Sequence, residues 1–235
     1  MPPGADHVPL EIRVGLVSQS LITAFRPGPN VLCRYQHGDV IPAQELMKRI
    51  ASSPQHEIHC SGGPVQINQK HYQGDVSLLK GQGDWLPVVS LDLETYVASV
   101  VGAEMPSSWH GEALKAQAVA ARSYAMAHLA RPATTAYHLG DTTRWQVFAG
   151  EQSTTPASRS ATRETRGIIL SYSGGIVESL YASNAQVIAE AHGHLGASMS
   201  QSGAQQLAHQ GLPFNAILGR YYAGASLARL TWHDQ

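Results

Sequence analysis

Residues 91–130 read LDLETYVASV VGAEMPSSWH GEALKAQAVA ARSYAMAHLA, and two helical periodicities are visible in them. Asp92 is a residue type that caps helices, and Leu91 and Tyr96 stand at the two hydrophobic-staple positions around it. Leu93, Val97, Val100 and Val101 then recur on one face. This helix is expected to stop near Glu104, because Pro106 pushes Met105 out of the helical region. A second helix is expected over about 110–130, where Leu114, Ala118, Ala121, Ala125 and Leu129 repeat at helical spacing. Its alanines allow close approach of a neighbour, and Pro132 lies just beyond its end.

Upstream of this stretch the texture is different. Leu10, Ile12, Val14 and Leu16 alternate with Glu11, Arg13 and Gly15, the period of a half-buried strand. Shorter strand-like runs follow at 31–35, 65–67, 76–79 and 85–91, separated by Gly, Pro and Asn, with a helix expected at about 42–51. Downstream, strands are expected at 145–148, 168–172 and 177–181, and helices at about 200–210 and 213–222. The fold class that follows is α+β, with a strand-rich part over 8–90, a helical core over 91–232 and no βαβ rhythm.

The 235 residues are 43% hydrophobic and 14% charged, enough for a real core. Sixteen basic against 17 acidic residues leave a net charge of −1, so no broad attraction to nucleic acid or anionic lipid is implied. No stretch approaches the roughly 20 apolar residues that span a bilayer. The start Met1-Pro2-Pro3-Gly4 lacks the basic and apolar regions of a signal peptide, which read literally implies a soluble, unexported chain and equally fits one trimmed after a signal or anchor. Cys33 and Cys60 form one disulfide if the protein is exported, or stay buried thiols if it is cytosolic. His56-Glu57-Ile58-His59-Cys60 matches no closed zinc spacing, and no metal or other cofactor is expected.

Glu104 is the leading candidate for chemistry. A carboxyl at a helix C-terminus meets the negative end of the macrodipole, which favours its protonated form, the form a general acid needs. Trp109, five residues on, offers apolar surface and a platform for a sugar ring. The plain alternative is a salt bridge from Glu104 to Lys115 or Arg122.

The run Tyr96-Val97-Ala98-Ser99-Val100-Val101-Gly102-Ala103-Glu104-Met105-Pro106-Ser107-Ser108-Trp109, continued by Glu112 to Ala125, closely resembles the core motif of the SpoIID/LytB family. Asp141-Thr142-Thr143 with Gln146 to Gly150, Thr165 to Leu170, and Met199-Ser200-Gln201 with Tyr221 to Gly224 resemble its later segments. The family includes a lytic transglycosylase that degrades peptidoglycan and proteins described as enhancers of cell-wall amidases. The resemblance implies that Glu104 is the catalytic acid, with Tyr181 orienting acid or substrate. It also implies peptidoglycan glycan strands as substrate, a cell-wall amidase as a second kind of partner, and export to the periplasm or wall. Single-carboxylate chemistry agrees with this role, because the C6 hydroxyl of the muramic residue can itself be the nucleophile and leave a 1,6-anhydro product.

Trp109, Lys115, Gln117, Arg122, His194, Ser200 and Gln201 are the expected saccharide-binding residues. His192 and His194 lie near the family's Gly-His-Gly positions. Departures are specific. Ser183-Asn184-Ala185-Gln186 replaces a Ser-Ser-Gly-Gly-like run, and the long segment that follows it in the family is essentially absent. Gly193 to Met199 is one residue longer than usual, so a more open cleft is expected. Some members bind zinc through cysteines near the segment that here spans Tyr137 to Val147; that segment holds no cysteine, so no such zinc is expected. A monomer is the expected state.

Overall fold

The computed structural model describes residues 10–52, 57–81, 84–191 and 197–231. They form mixed α and β structure in two compact units, one of Glu11–Asp92 with Pro132–Ser153, the other of Leu93–Arg131 and Thr154 onward together with Leu10.

The first unit is strand-rich. Its strands are β1 (Glu11–Gly15), β2 (Phe25–Pro27), β3 (Leu32–Tyr35), β4 (Val40–Ile41), β5 (Ile58–Ser61), β6 (Val65–Ile67), β7 (Lys70–Tyr72), β8 (Asp75–Lys80), β9 (Trp85–Asp92) and β10 (Leu139–Gly140), with helix α1 (Ala43–Ser52). A seven-stranded sheet runs β10-β1-β9-β8-β5-β3-β4, and β2-β6-β7 make a smaller one. Register carries one row of side chains across the large sheet: Leu139, Val14, Val89, Val76, Cys60, Cys33 and Ile41. Every member of this row is buried, which is what alternation in each strand requires of the core face. Cys33 and Cys60 stand directly opposite one another and are joined as a disulfide within the row. Cys60 is therefore not a metal ligand in this state, and His56 of the same motif lies outside the described residues. Helix α1 buries Leu46 and Ile50, each contributing about 1.5–3 kcal/mol, and Ile50 O accepts the Trp85 indole N–H at 2.7 Å.

No strand forms at 145–148. Trp145 N–H closes a turn onto Thr142 O, Phe148 N–H returns to Asp141 O, and the Trp145 ring lies where a side chain at Gly140 would stand. The apolar residues there pack individually instead of alternating along a strand.

The second unit holds α2 (Leu93–Glu104), α3 (Gly111–Ala130), α4 (Pro156–Glu164), β11 (Ile168–Tyr172), β12 (Gly175–Ile176), β13 (Leu180–Ala182), α5 (Ala185–Ala191), β14 (Ser198–Ser200), α6 (Gln201–His209), α7 (Phe214–Tyr221) and β15 (Ser226–Arg229). Helix α3 is central and packs on α2, α4, α6, α7 and β11. Thirteen of its residues are buried, because small alanines admit neighbours on nearly every side. The expected strand at 177–181 is displaced: β12 ends at Ile176 and β13 begins at Leu180, while Ser179 between them is buried with its hydroxyl donating to Ala120 O. Strands β13 and β14 pair in parallel with α5 between them in the chain. Helix α4 was not expected from periodicity, although Thr155, Pro156 and Ser158 form a reciprocal capping box with proline in the first turn. Among the described residues no helix is long and apolar enough to cross a membrane.

Candidate functional site

The site grows from the end of α2. Met105 N–H still bonds to Val101 O at 3.0 Å, and Pro106 then turns the chain away from the helix. Glu104 is left at the last helical position, half-buried. Trp109, also half-buried, closes the following turn through its N–H to Pro106 O at 3.0 Å. His110 then caps α3, its Nδ1 accepting the Glu112 N–H at 3.2 Å.

Ninety-seven residues later the chain returns to the same carboxylate. Ser200 ends β14 and caps α6, its Oγ accepting the Gly203 N–H at 3.0 Å. Gln201, the first residue of α6, is 4% exposed and its Nε2 donates to Glu104 Oε2 at 3.3 Å. Tyr181 is beside this element: it is half-buried on β13, in register with Met199 of β14.

The remaining expected residues divide. Lys115 lies between two carboxylates, 2.8 Å from Glu112 Oε1 and 2.7 Å from Glu164 Oε2. Those two hydrogen bonds raise its pKa. Burial acts upward on Glu112 but is outweighed by the hydrogen bonds from Lys115 and the Phe214 N–H, so its carboxyl sits below the ordinary range. The Phe214 N–H reaches Glu112 Oε2 at 2.7 Å, and Lys115 and Glu112 thus tie α3 to α4 and the start of α7.

Gln117 and Arg122, read from the sequence as saccharide ligands on a polar helix face, are both at 0% exposure. The reason is the alanine-rich environment of α3, which leaves little of that helix facing water. Arg122 grips Glu94 of α2 with both arms, Nε to Oε1 at 2.8 Å and Nη2 to Oε2 at 2.7 Å, and donates to Ile168 O, Thr162 O and Ala118 O. Its donors are directed inward, so it clamps α2, α3, α4 and β11 and does not reach a surface ligand. Neither amide atom of Gln117 has a hydrogen-bond partner among the described residues. His192 and His194 lie outside the described residues.

Sequence reasoning gave no individual role to Glu94, Glu112, Glu164, Gly203 or Tyr221. Glu112 carried a signal, since its spacing of three from Lys115 is that of a helical ion pair. Glu94 carried none, because its partner is set by packing between helices.

Residues 81–172 match the family described as Stage II sporulation protein, SpoIID. This segment, which contains Glu104, Trp109, Lys115, Gln117 and Arg122, is similar to that family. It is similar to an uncharacterized protein of Brachyspira hyodysenteriae, 33% identical over 117 residues that make up 49% of this chain and 32% of the relative. It is also similar to the amidase enhancer of Bacillus subtilis, 40% identical over 85 residues that make up 36% of this chain and 11% of that protein. The chain thus spans a third or less of the length of these relatives.

Proposed function

We propose that the protein is a peptidoglycan lytic transglycosylase in which Glu104 is the general acid and base. One observation carries this reading: Gln201 donates to the Glu104 carboxylate from an element 97 residues away, holding the candidate acid at the end of α2. In the proposed reaction the Glu104 carboxyl protonates the oxygen of the glycosidic bond as that bond breaks. The C6 hydroxyl of the muramic residue attacks the anomeric carbon, and its proton passes to the Glu104 carboxylate. The acid is restored and a 1,6-anhydro end remains, without water as a reactant. Tyr181 and Trp109 are the proposed orienting and stacking residues.

The substrate is the glycan strand, the protein acts outside the cytoplasm, and it works as a monomer. The Cys33–Cys60 disulfide supports the location, since such bonds persist in oxidising compartments. The test is incubation of the protein and of Glu104→Gln with intact and peptide-stripped glycan strands, followed by mass spectrometry. Anhydromuramyl ends should form with the unmutated protein and fall about 10²–10⁴-fold in the variant, which should stay folded. An equally active variant overturns the assignment.

A second reading is favoured by the relative named amidase enhancer: a non-catalytic glycan-binding module that stimulates a cell-wall amidase. It requires stimulation of a purified amidase that survives Glu104→Gln. Failure to stimulate any candidate amidase counts against it.

A further inference from the structure

Ser200, besides capping α6, is the meeting point of a small hydroxyl network. Its Oγ accepts the Gly203 N–H at 3.0 Å and lies 3.3 Å from Ser202 Oγ. The Tyr221 side chain, at the end of α7, also hydrogen-bonds to it. A serine hydroxyl offers one proton and two lone pairs. The Gly203 N–H occupies one lone pair, and the Tyr221 and Ser202 hydroxyls take up the remaining capacity. The fit depends on glycine at 203: a Cβ there would fall inside contact distance of the Tyr221 hydroxyl and 3.1 Å from Ser200 Oγ. Gly203 has no positive backbone angle to justify it, so the space for this hydroxyl is the physical reason for its presence.

We propose that Tyr221 is a positioning residue for the candidate acid, acting through Ser200 and the turn into α6 to hold Gln201 against Glu104. Three links make the chain. The Tyr221 hydroxyl fixes Ser200, which is 5% exposed. Ser200 fixes the first turn of α6 through its cap. That turn fixes the backbone of Gln201, whose amide reaches Glu104 at 3.3 Å. Gln201 and Ser200, expected from the sequence to touch the saccharide, are both buried and engaged internally, so they act on the acid rather than on the sugar. The network requires nothing of the substrate beyond the reading proposed above, on which its catalytic consequence rests.

The test separates the network from the chemistry. Tyr221→Phe keeps the ring and removes the hydroxyl. In glycan cleavage it should lower kcat about tenfold with KM within twofold of the parent, because the acid is displaced while saccharide contacts remain. A parallel rise in KM with unchanged kcat overturns the positioning role. The second measurement needs no activity. Gly203→Ala should lower the thermal midpoint in the parent but much less in Tyr221→Phe, where the obstructing hydroxyl is gone, so the two substitutions couple in a double-mutant cycle. Additive effects refute the network whatever the enzyme does. Coupling together with an inactive parent protein refutes the transglycosylase reading, and with it the catalytic role of Tyr221.

Discussion

The Glu94–Arg122 pair offers the sharpest quantitative test. Glu94 receives the Arg122 guanidinium at 2.8 and 2.7 Å and the Gly167 N–H at 3.2 Å, and its side chain is only 11% exposed. Two hydrogen bonds to charged groups are worth about 1.5–3 kcal/mol each. In Glu94→Ala the guanidinium stays buried and keeps only the carbonyls of Ala118, Thr162 and Ile168, which draws the cost toward the lower half of that sum. A loss of about 4 kcal/mol is therefore expected, in line with the roughly 3–5 kcal/mol for removing one side of a buried ion pair. At about 2–4 °C per kcal/mol for a chain of this size, the thermal midpoint should fall by about 8–16 °C in calorimetry. Replacing both partners together, as in Glu94→Leu with Arg122→Met, should recover much of the loss, since no charge is then stranded. A midpoint that moves by less than about 3 °C in Glu94→Ala would refute the clamp. So would an Arg122→Lys variant that loses glycan affinity at unchanged stability, because that would return the arginine to the saccharide.

Two further outcomes follow from the strand-rich unit. The Cys33–Cys60 bond closes a separation of 27 residues, so chain-entropy arguments give about 3.5 kcal/mol for its removal; paired serine substitutions should show this loss in urea unfolding, and an unchanged midpoint would contradict it. His138 Nδ1 accepts the Arg13 backbone N–H at 2.9 Å, and burial, followed by the nearby guanidinium, lowers its pKa from 6.5. The unfolded chain therefore takes up the proton first, and the contribution is full above about pH 6.5 and lost as pH falls through the lowered value. His138→Gln should flatten the pH dependence of stability on the acid side, and an unaltered slope would show that another group sets it.

How much of this was legible beforehand differs from element to element. The bounds of α2 and α3 follow from local signals, the apolar repeat ahead of Glu104 and the prolines at 106 and 132, and those signals act within a few residues. The strand at 145–148 failed for the opposite reason. Trp145 and Phe148 are apolar through tertiary contact with Gly140 and Tyr72, not through alternation, and four residues do not distinguish the two. In the candidate site the position of Glu104 at the end of α2 was readable from the apolar repeat before it and from Pro106. The inward turn of Arg122 and Gln117 was not, because polar residues on an alanine-rich helix resemble a solvated face until neighbours are known to cover it. The hydrogen bond of Gln201 to Glu104 was not readable, because it depends on a contact between residues far apart in sequence.

The parallel pairing of β10 with β1 bears on how the molecule comes to be made. Val14 meets Leu139, and Arg13 meets His138, across a sequence separation of 125 that includes all of α2 and α3. During vectorial synthesis the large sheet must wait, with one margin of β1 unpaired, until the whole of α3 has emerged. A gene fragment cut at the apparent boundary after Asp92 would make that waiting state permanent. Such a fragment should self-associate through the bare strand, and the strand-rich unit is best expressed with residues 132–153 supplied in the same chain or as a peptide.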